Sequence, residues 1–182
     1  MGGSSISIDD DWEFAAPLNG LRTLVLVGTT GNGKSTTGNS ILGKEFLSRA
    51  SSAGVTSTSE LRTVVLKDGQ MLNVIDIPGL FDSSVDTEFI GMEIVKCINM
   101  AREGIHVVLV VLSVRNRFSK EEVAINGLRV LFGNKINDYM IVVFTGGDEL
   151  EENEQTLGDF LQDCPLLSRR RRCHRLKSLS FL

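Results

Sequence analysis

The sequence predicts a doubly wound α/β domain, and three observations carry the prediction. Short apolar runs alternate with stretches of helical periodicity along the chain. The runs are apolar throughout rather than at every second residue, as strands covered on both faces must be. The first of them, Leu24-Val25-Leu26-Val27, leads directly into a glycine-rich turn that opens a helix. At 182 residues the chain suits one domain with a substantial core, and 42% hydrophobic with 23% charged residues is ordinary globular composition.

Residues 1–20 are polar and rich in Ser and Asp, which predicts a disordered leader with Trp12 and Phe14 as its candidate docking side chains. After the first strand and its turn, Ser35 to Leu42 reads as a helix with Gly43 at the C-cap. Residues 44–59 are rich in Ser, Ala, Gly and Thr without periodicity, so they predict a mobile loop. Leu61–Leu66 and Met71–Ile75 read as strands joined by Lys67-Asp68-Gly69-Gln70, where Asp-Gly marks a tight hairpin turn. Phe89 to Arg102 carries Ile90, Ile94 and Ile98 at helical spacing, flanked by Met92 and Val95. A buried strand from Ile105 to Leu112, an amphipathic helix from Lys120 to Phe132 and a strand from Tyr139 to Phe144 complete the alternation.

Composition excludes several classes. A net charge of -4 argues against a chain-wide nucleic-acid footprint, so no specific nucleic acid is expected. Cys97, Cys164 and Cys173 are few, odd in number and form no C-x-x-C pair, which points to reduced intracellular thiols. Cys173-His174 lacks further ligands nearby, and His106 reads as a strand-end residue. Met1-Gly2-Gly3-Ser4-Ser5-Ile6 approaches an acylation signal but has Ile6 where Ser or Thr is needed. Asp9-Asp10-Asp11 then rules out a secretory n-region, and the run from Ile105 to Leu112 is too short to span a bilayer. An intracellular, cytoplasmic protein is the expectation.

The chemistry concentrates in Gly28-Thr29-Thr30-Gly31-Asn32-Gly33-Lys34-Ser35, which fits G-x-x-x-x-G-K-[ST] at every required position and follows a strand. Backbone N–H groups of such a loop point inward and wrap the α- and β-phosphates of a nucleotide at a helix N-terminus, where Thr36 follows. Lys34 reaches the β- and γ-phosphates, and the Ser35 hydroxyl is a Mg²⁺ ligand. Asp76-Ile77-Pro78-Gly79 emerges from the Met71–Ile75 strand at the carboxyl end of the sheet. There Asp76 can hold Mg²⁺ through water, and the Gly79 N–H can approach a γ-phosphate. Either Thr56 or Thr58, with Thr56 preferred, could close on the metal from the mobile loop; the alternative is that both are solvated loop residues. Lys34 and Thr56 are therefore the candidate catalytic residues. Ras-like GTPases place a glutamine after the equivalent glycine to position water, but this chain has Leu80, so hydrolysis should be slow without a partner. Thr145-Gly146-Gly147-Asp148 follows the last strand. The Asp148 carboxylate can accept two hydrogen bonds from guanine that adenine cannot supply, although the basic residue that usually covers the ring is replaced by glycine. The alternative for this stretch is a Gly-rich loop with Asp148 as a helix N-cap.

The Gly28–Ser35 loop with its continuation Thr36-Thr37-Gly38-Asn39-Ser40-Ile41-Leu42-Gly43 is one part of a wider pattern. The other parts are Val55-Thr56-Ser57-Thr58, Asp76-Ile77-Pro78-Gly79-Leu80-Phe81-Asp82, the block from Arg117-Phe118-Ser119-Lys120-Glu121-Glu122 to Leu131-Phe132-Gly133, and Phe144-Thr145-Gly146-Gly147-Asp148. Together they resemble the immune-associated nucleotide-binding (GIMAP/IAN) GTPases, plant members in particular, from about Leu21 to about Pro165. The resemblance implies a P-loop NTPase G domain over residues 21–165 that binds GTP or GDP with Mg²⁺. It also implies homo- or heterodimerisation through the nucleotide face, and a nucleotide contact from Ser48 in the first switch.

The resemblance stops at residues 166–182. Where family members continue into a further guanine-contacting segment, a last strand and a last helix, this chain has a basic tail containing Arg169-Arg170-Arg171-Arg172. The expected fold thus lacks the usual last strand and helix, and the tail is either an unselected solvated segment, the preferred reading, or an electrostatic anchor for anionic lipid or RNA. Three functions follow: a GTP/GDP switch with slow Mg²⁺-dependent hydrolysis, a nucleotide-poor module that dimerises with full-length relatives, and an ATP-dependent small-molecule kinase. The last is disfavoured because the arginines that could form a lid lie beyond the fold.

Overall fold

The computed structural model describes residues 20–42, 58–78, 82, 86–115, 126–130 and 132–162. Its strands are β1 (Leu21–Val27), β2 (Glu60–Val65), β3 (Met71–Asp76), β4 (Val107–Ser113) and β5 (Met140–Thr145). Its helices are α1 (Lys34–Leu42), α2 (Thr87–Met100), α3 (described over residues 126–130), α4 (Gly147–Glu152) and α5 (Leu157–Gln162), with a 3-10 turn at Asn134–Asp138. The strands form one sheet in the order β2-β3-β1-β4-β5. β3, β1, β4 and β5 run parallel, while β2 pairs antiparallel with β3 from Glu60↔Asp76 to Val65↔Met71.

The apolar runs become the inner strands because both of their faces are covered. On one face Val25, Val27, Ile75, Val110, Leu112 and Phe144 pack with Ile94 and Cys97 of α2 and Leu128 of α3. On the other Leu24, Leu26, Val74, Leu109, Val111 and Val143 pack with Ile41 and Leu42 of α1. Helices on both faces of a mostly parallel sheet are the doubly wound arrangement the sequence predicts, and the chain reverses direction across the sheet beside β1, which opens a crevice at the carboxyl ends of β1 and β4. β2, at the edge, is more exposed and carries Glu60, Arg62 and Thr63.

The hairpin turn closes as its Asp-Gly pair predicts: Leu66 N–H donates to Gln70 O at 2.7 Å, and Asp68 Oδ1 accepts from Gln70 N–H at 3.0 Å. Element ends differ in detail. α1 begins at Lys34 rather than Ser35, and α2 runs over Thr87–Met100 rather than Phe89–Arg102 because Asp86 caps it, accepting from Glu88 N–H at 3.2 Å. β4 starts after Ile105 and His106. His106 Nδ1 instead accepts from Thr23 N–H at 3.0 Å, and burial, then the Arg22 charge, keeps the imidazole below its ordinary value and neutral. The thiol of Cys97, wholly within the core, is pushed by burial up to about 12.

The 3-10 turn and α5 have no counterpart in the sequence-based expectation, and α4 answers to the alternative of a helix starting near Asp148. α4 is capped by Gly146, not Asp148, which sits inside the first turn, so the reading of Asp148 as an N-cap is corrected. α5 is too short for its periodicity to register, yet Leu157, Phe160 and Leu161 pack against the core and Phe160 meets Phe144 edge-to-face at 6.1 Å. The leader over 1–19, Gly43 and the loop over 43–57, residues 120–125, Cys164, Pro165 and the basic tail lie outside the described residues. Among the described residues no helix is long and apolar enough to cross a membrane.

Candidate functional site

The turn from β1 to α1 is held by the neighbouring strand ends. Gly28 has no alternative: a Cβ there would stand 2.4 Å from Val111 O of β4. Gly33 adopts φ 81° and faces Thr145, whose Cγ2 would lie 3.3 Å from an added Cβ. Asn32 donates from Nδ2 to Val111 O at 3.3 Å, and Thr145 Oγ1 donates to Asn32 O at 2.8 Å. The buried Asn32 side chain therefore fastens the loop to the sheet, and Thr145 is a strut at the end of β5. Thr29 and Gly31 complete the turn, and Thr30 N–H donates to Asp82 Oδ1 at 3.1 Å.

Lys34 is buried at the root of the loop, where Nζ donates to Gly28 O and Thr29 O, both at 3.1 Å. An ammonium has three donors, so a third is left for a ligand oxygen. Burial pushes Lys34 below the ordinary lysine value, while the charges of Asp76 and Asp82 oppose that shift. Ser35 Oγ, at the start of α1, donates to Asp76 Oδ2 at 3.2 Å across the junction with β3. The parallel register puts Asp76 opposite Leu26, at the carboxyl end of the sheet. Burial raises the Asp76 carboxyl above the ordinary value; Lys34 and the Ser35 bond pull the other way, and Glu60 adds to the rise. Asp76 Oδ1 is buried with no hydrogen-bond partner. A buried carboxylate oxygen left open beside a serine hydroxyl suits a hard cation that keeps part of its water shell, so Ser35 and Asp76 fit Mg²⁺.

A cleft of about 320 Å³ runs along Gly31, Gly33, Thr36, Thr37, Ser40, Ser113, Arg115, Thr145, Gly146 and Asp148. It joins the phosphate loop to the loop after β5, so Gly31, Gly33, Thr36, Thr145 and Asp148 share one wall-to-wall space. Asp148 is exposed, and its Oδ2 accepts from Arg115 at 2.9 Å. Gly79, Ser48 and Thr56 lie outside the described residues. Thr58, the other candidate from that loop, is engaged elsewhere: its Oγ1 donates to Glu93 Oε1 at 3.2 Å and accepts from Lys96 at 3.1 Å.

Sequence reasoning assigned no role to Asp82, Arg115 or Glu93. Arg115 had a readable signal, since a cation just beyond the carboxyl end of a parallel strand stands where ligands of such sheets are bound. Glu93 had none: it lies in a helical stretch among apolar neighbours, and only the packing shows its side chain fully buried against Ser59.

The profile of the AIG1 family matches residues 22–175. Immune-associated nucleotide-binding protein 9 of Arabidopsis thaliana is 60% identical over 91% of this chain and 48% of its own length. Immune-associated nucleotide-binding protein 3 of the same plant is 54% identical over 84% of the chain and 47% of its own length. The chain thus spans about half the length of the curated relatives it matches. In fold it is similar to Toc33 from Arabidopsis thaliana in complex with GDP and Mg²⁺, at a TM-score of 0.63 and 20% identity over 90% of this chain and 70% of that one. It is similar also to a structure from work on how dimerization matters for the GTPase activity of the chloroplast translocon components atToc33 and psToc159. There the TM-score is 0.61 and the identity 17%, over 88% of this chain and 69% of that one.

Proposed function

The chain belongs to the AIG1 family, and we propose that residues 21–165 form a G domain that binds GTP and GDP with Mg²⁺ and hydrolyses GTP slowly. The observation that carries this reading is the cleft that joins the phosphate loop to Asp148; Ser35, which closes that loop, donates to Asp76, whose other oxygen is open. Phosphates are held by the backbone N–H groups of the Gly28–Ser35 turn and by the remaining donor of Lys34, and the purine is read by Asp148. Ser35 and Asp76 would hold Mg²⁺, which when bound neutralises charge on the β- and γ-phosphates. Thr56 closes the site from the first switch, Ser48 contacts nucleotide from the same segment, and the Gly79 N–H meets the γ-phosphate. Two G domains associate through this face, a reading supported by the dimerization described for the translocon GTPases of similar fold.

Titration of the purified chain with GTP, GDP and ATP, in Mg²⁺ and in EDTA, tests it. GTP and GDP should bind more tightly than ATP, and EDTA should weaken binding. Lys34→Ala should lower nucleotide affinity by about tenfold or more, about 1.4 kcal/mol. Titration curves unchanged by Lys34→Ala would refute the phosphate assignment, and ATP competing as well as GTP would refute the guanine assignment.

A further inference from the structure

The loop after β5 reads Thr145-Gly146-Gly147-Asp148 and carries no basic side chain to lie against a purine. The structure brings one from the neighbouring strand. Arg115, just past the end of β4, lines the same cleft as Gly146 and Asp148. Its backbone is fixed by a bond from Arg115 N–H to Ser113 Oγ at 3.2 Å. One guanidinium nitrogen donates to Asp148 Oδ2 at 2.9 Å, and Nε donates to Glu149 Oε2 at 2.8 Å, so the fork spans two successive carboxylates. Gly146 stands in the left-handed region at φ 78°, and a Cβ built on it would lie 3.3 Å from Val114 Cγ2, 3.5 Å from Arg115 Nε and 3.7 Å from Arg115 Cγ. The Arg115 side chain thus lies in van der Waals contact distance of position 146, where the positive φ and Val114 favour glycine.

We propose that Arg115 is the specificity-determining residue of the base subsite, supplying from β4 the cation that the loop after β5 lacks. The inference rests on the reading of Asp148 as the base-reading carboxylate. Two physical effects follow from the geometry. The ion pair holds the Asp148 carboxylate in one orientation at the cleft wall, which a two-bond contact with a guanine edge requires. The planar guanidinium is weakly hydrated and stacks on aromatic faces, so the residue that aims Asp148 can also cover the purine. With the Arg115 side chain 58% exposed and that of Asp148 66% exposed, the pair contributes little to folding, so its loss should leave the fold intact and any change in binding can be read as recognition.

The test is calorimetric titration of the full chain with GDP, ADP and inorganic tripolyphosphate in Mg²⁺, for the wild type and for Arg115→Ala, Arg115→Met and Asp148→Asn. Arg115→Ala should weaken GDP binding about tenfold, ADP binding less than about threefold, and tripolyphosphate binding not at all. Arg115→Met keeps the stem and loses the fork, and should recover only part of the GDP affinity. The GDP losses in Arg115→Ala and Asp148→Asn should fall short of additivity in the double variant, because the two side chains act as one contact. Wild-type GDP affinity in Arg115→Ala, or equal losses for GDP, ADP and tripolyphosphate, would overturn the inference. If Asp148→Asn abolishes the preference for GDP while Arg115→Ala keeps it, this inference alone falls. If the wild type takes ADP as tightly as GDP, the reading of Asp148 falls, and this inference with it.

Discussion

Asp76 and Asp148 are two carboxylates with opposite surroundings, and the difference predicts how each responds to neutralisation. Asp76 is buried, raised by desolvation, and leaves Oδ1 without a partner, so it costs the nucleotide-free fold stability. Asp76→Asn should therefore raise the unfolding free energy of the nucleotide-free protein by about 1 kcal/mol, seen as a higher urea midpoint, while abolishing the difference between nucleotide affinities in Mg²⁺ and in EDTA. A loss of stability in that variant would contradict the account of Asp76 as an unsatisfied charge. Asp148 is exposed, and the role proposed for it is base choice. Asp148→Asn should lower GTP affinity and raise the relative affinity for xanthine nucleotides, whose ring carbonyl accepts from an amide where the guanine amino group donated to a carboxylate. Competition titration with the two nucleotides measures the exchange.

Between elements, the connection that sequence patterns hid is between α2 and the start of β2. Glu93 accepts from Ser59 N–H at 2.5 Å and pairs with Lys96, and Thr58 joins them. Burial pushes the Glu93 carboxyl up, but the bonds from Lys96 and Ser59 outweigh it and hold the group below its ordinary value. A lowered carboxylate stabilises the fold above its unfolded value of 4.5, and that contribution is lost as pH falls through the lower folded value. Glu93→Gln should cost about 2 kcal/mol at neutral pH, most of it from the Ser59 contact because Lys96 is half in solvent. The gap from the wild type should close in acid, and urea melts across pH would show it; a gap independent of pH would remove the charge from the explanation. α5 carries a local signal at its start. Thr156-Leu157-Gly158-Asp159 is a capping pattern, and in the structure Thr156 N–H donates to Asp159 Oδ2 at 2.9 Å while Asp159 N–H donates to Thr156 Oγ1 at 3.2 Å.

For the molecule as a whole, the proposed activity depends on more than the cleft holds. Leu80 has no polar group to orient water, so dilute protein should turn over GTP at or below about 10⁻⁴ s⁻¹. Turnover per molecule should rise with protein concentration where a second G domain completes the site. Leu80→Gln alone should not restore efficient hydrolysis, because the switch around Thr56 must also hold the water. Fast turnover that is independent of concentration, measured by phosphate release over a dilution series, would place a catalytic group within one chain.

The sequence by itself determined the order of the five strands, the hairpin and the phosphate loop, because each is encoded by neighbours a few residues apart: an apolar run, an Asp-Gly pair, a spacing of glycines, lysine and serine. The end of β3 placed Asp76 by the same local logic. The tertiary structure decided the rest. Arg115 meets Asp148 across 33 residues, Ser59 meets Glu93 across 34, and Asn32 meets Val111 across 79. No periodicity records such pairs. Arg115 reaches Asp148 and Asn32 reaches Val111 because parallel pairing of β1 with β4 and of β4 with β5 brings separate strand ends together. Ser59 reaches Glu93 because α2 lies beside the start of β2, where desolvation favours pairing a buried carboxylate.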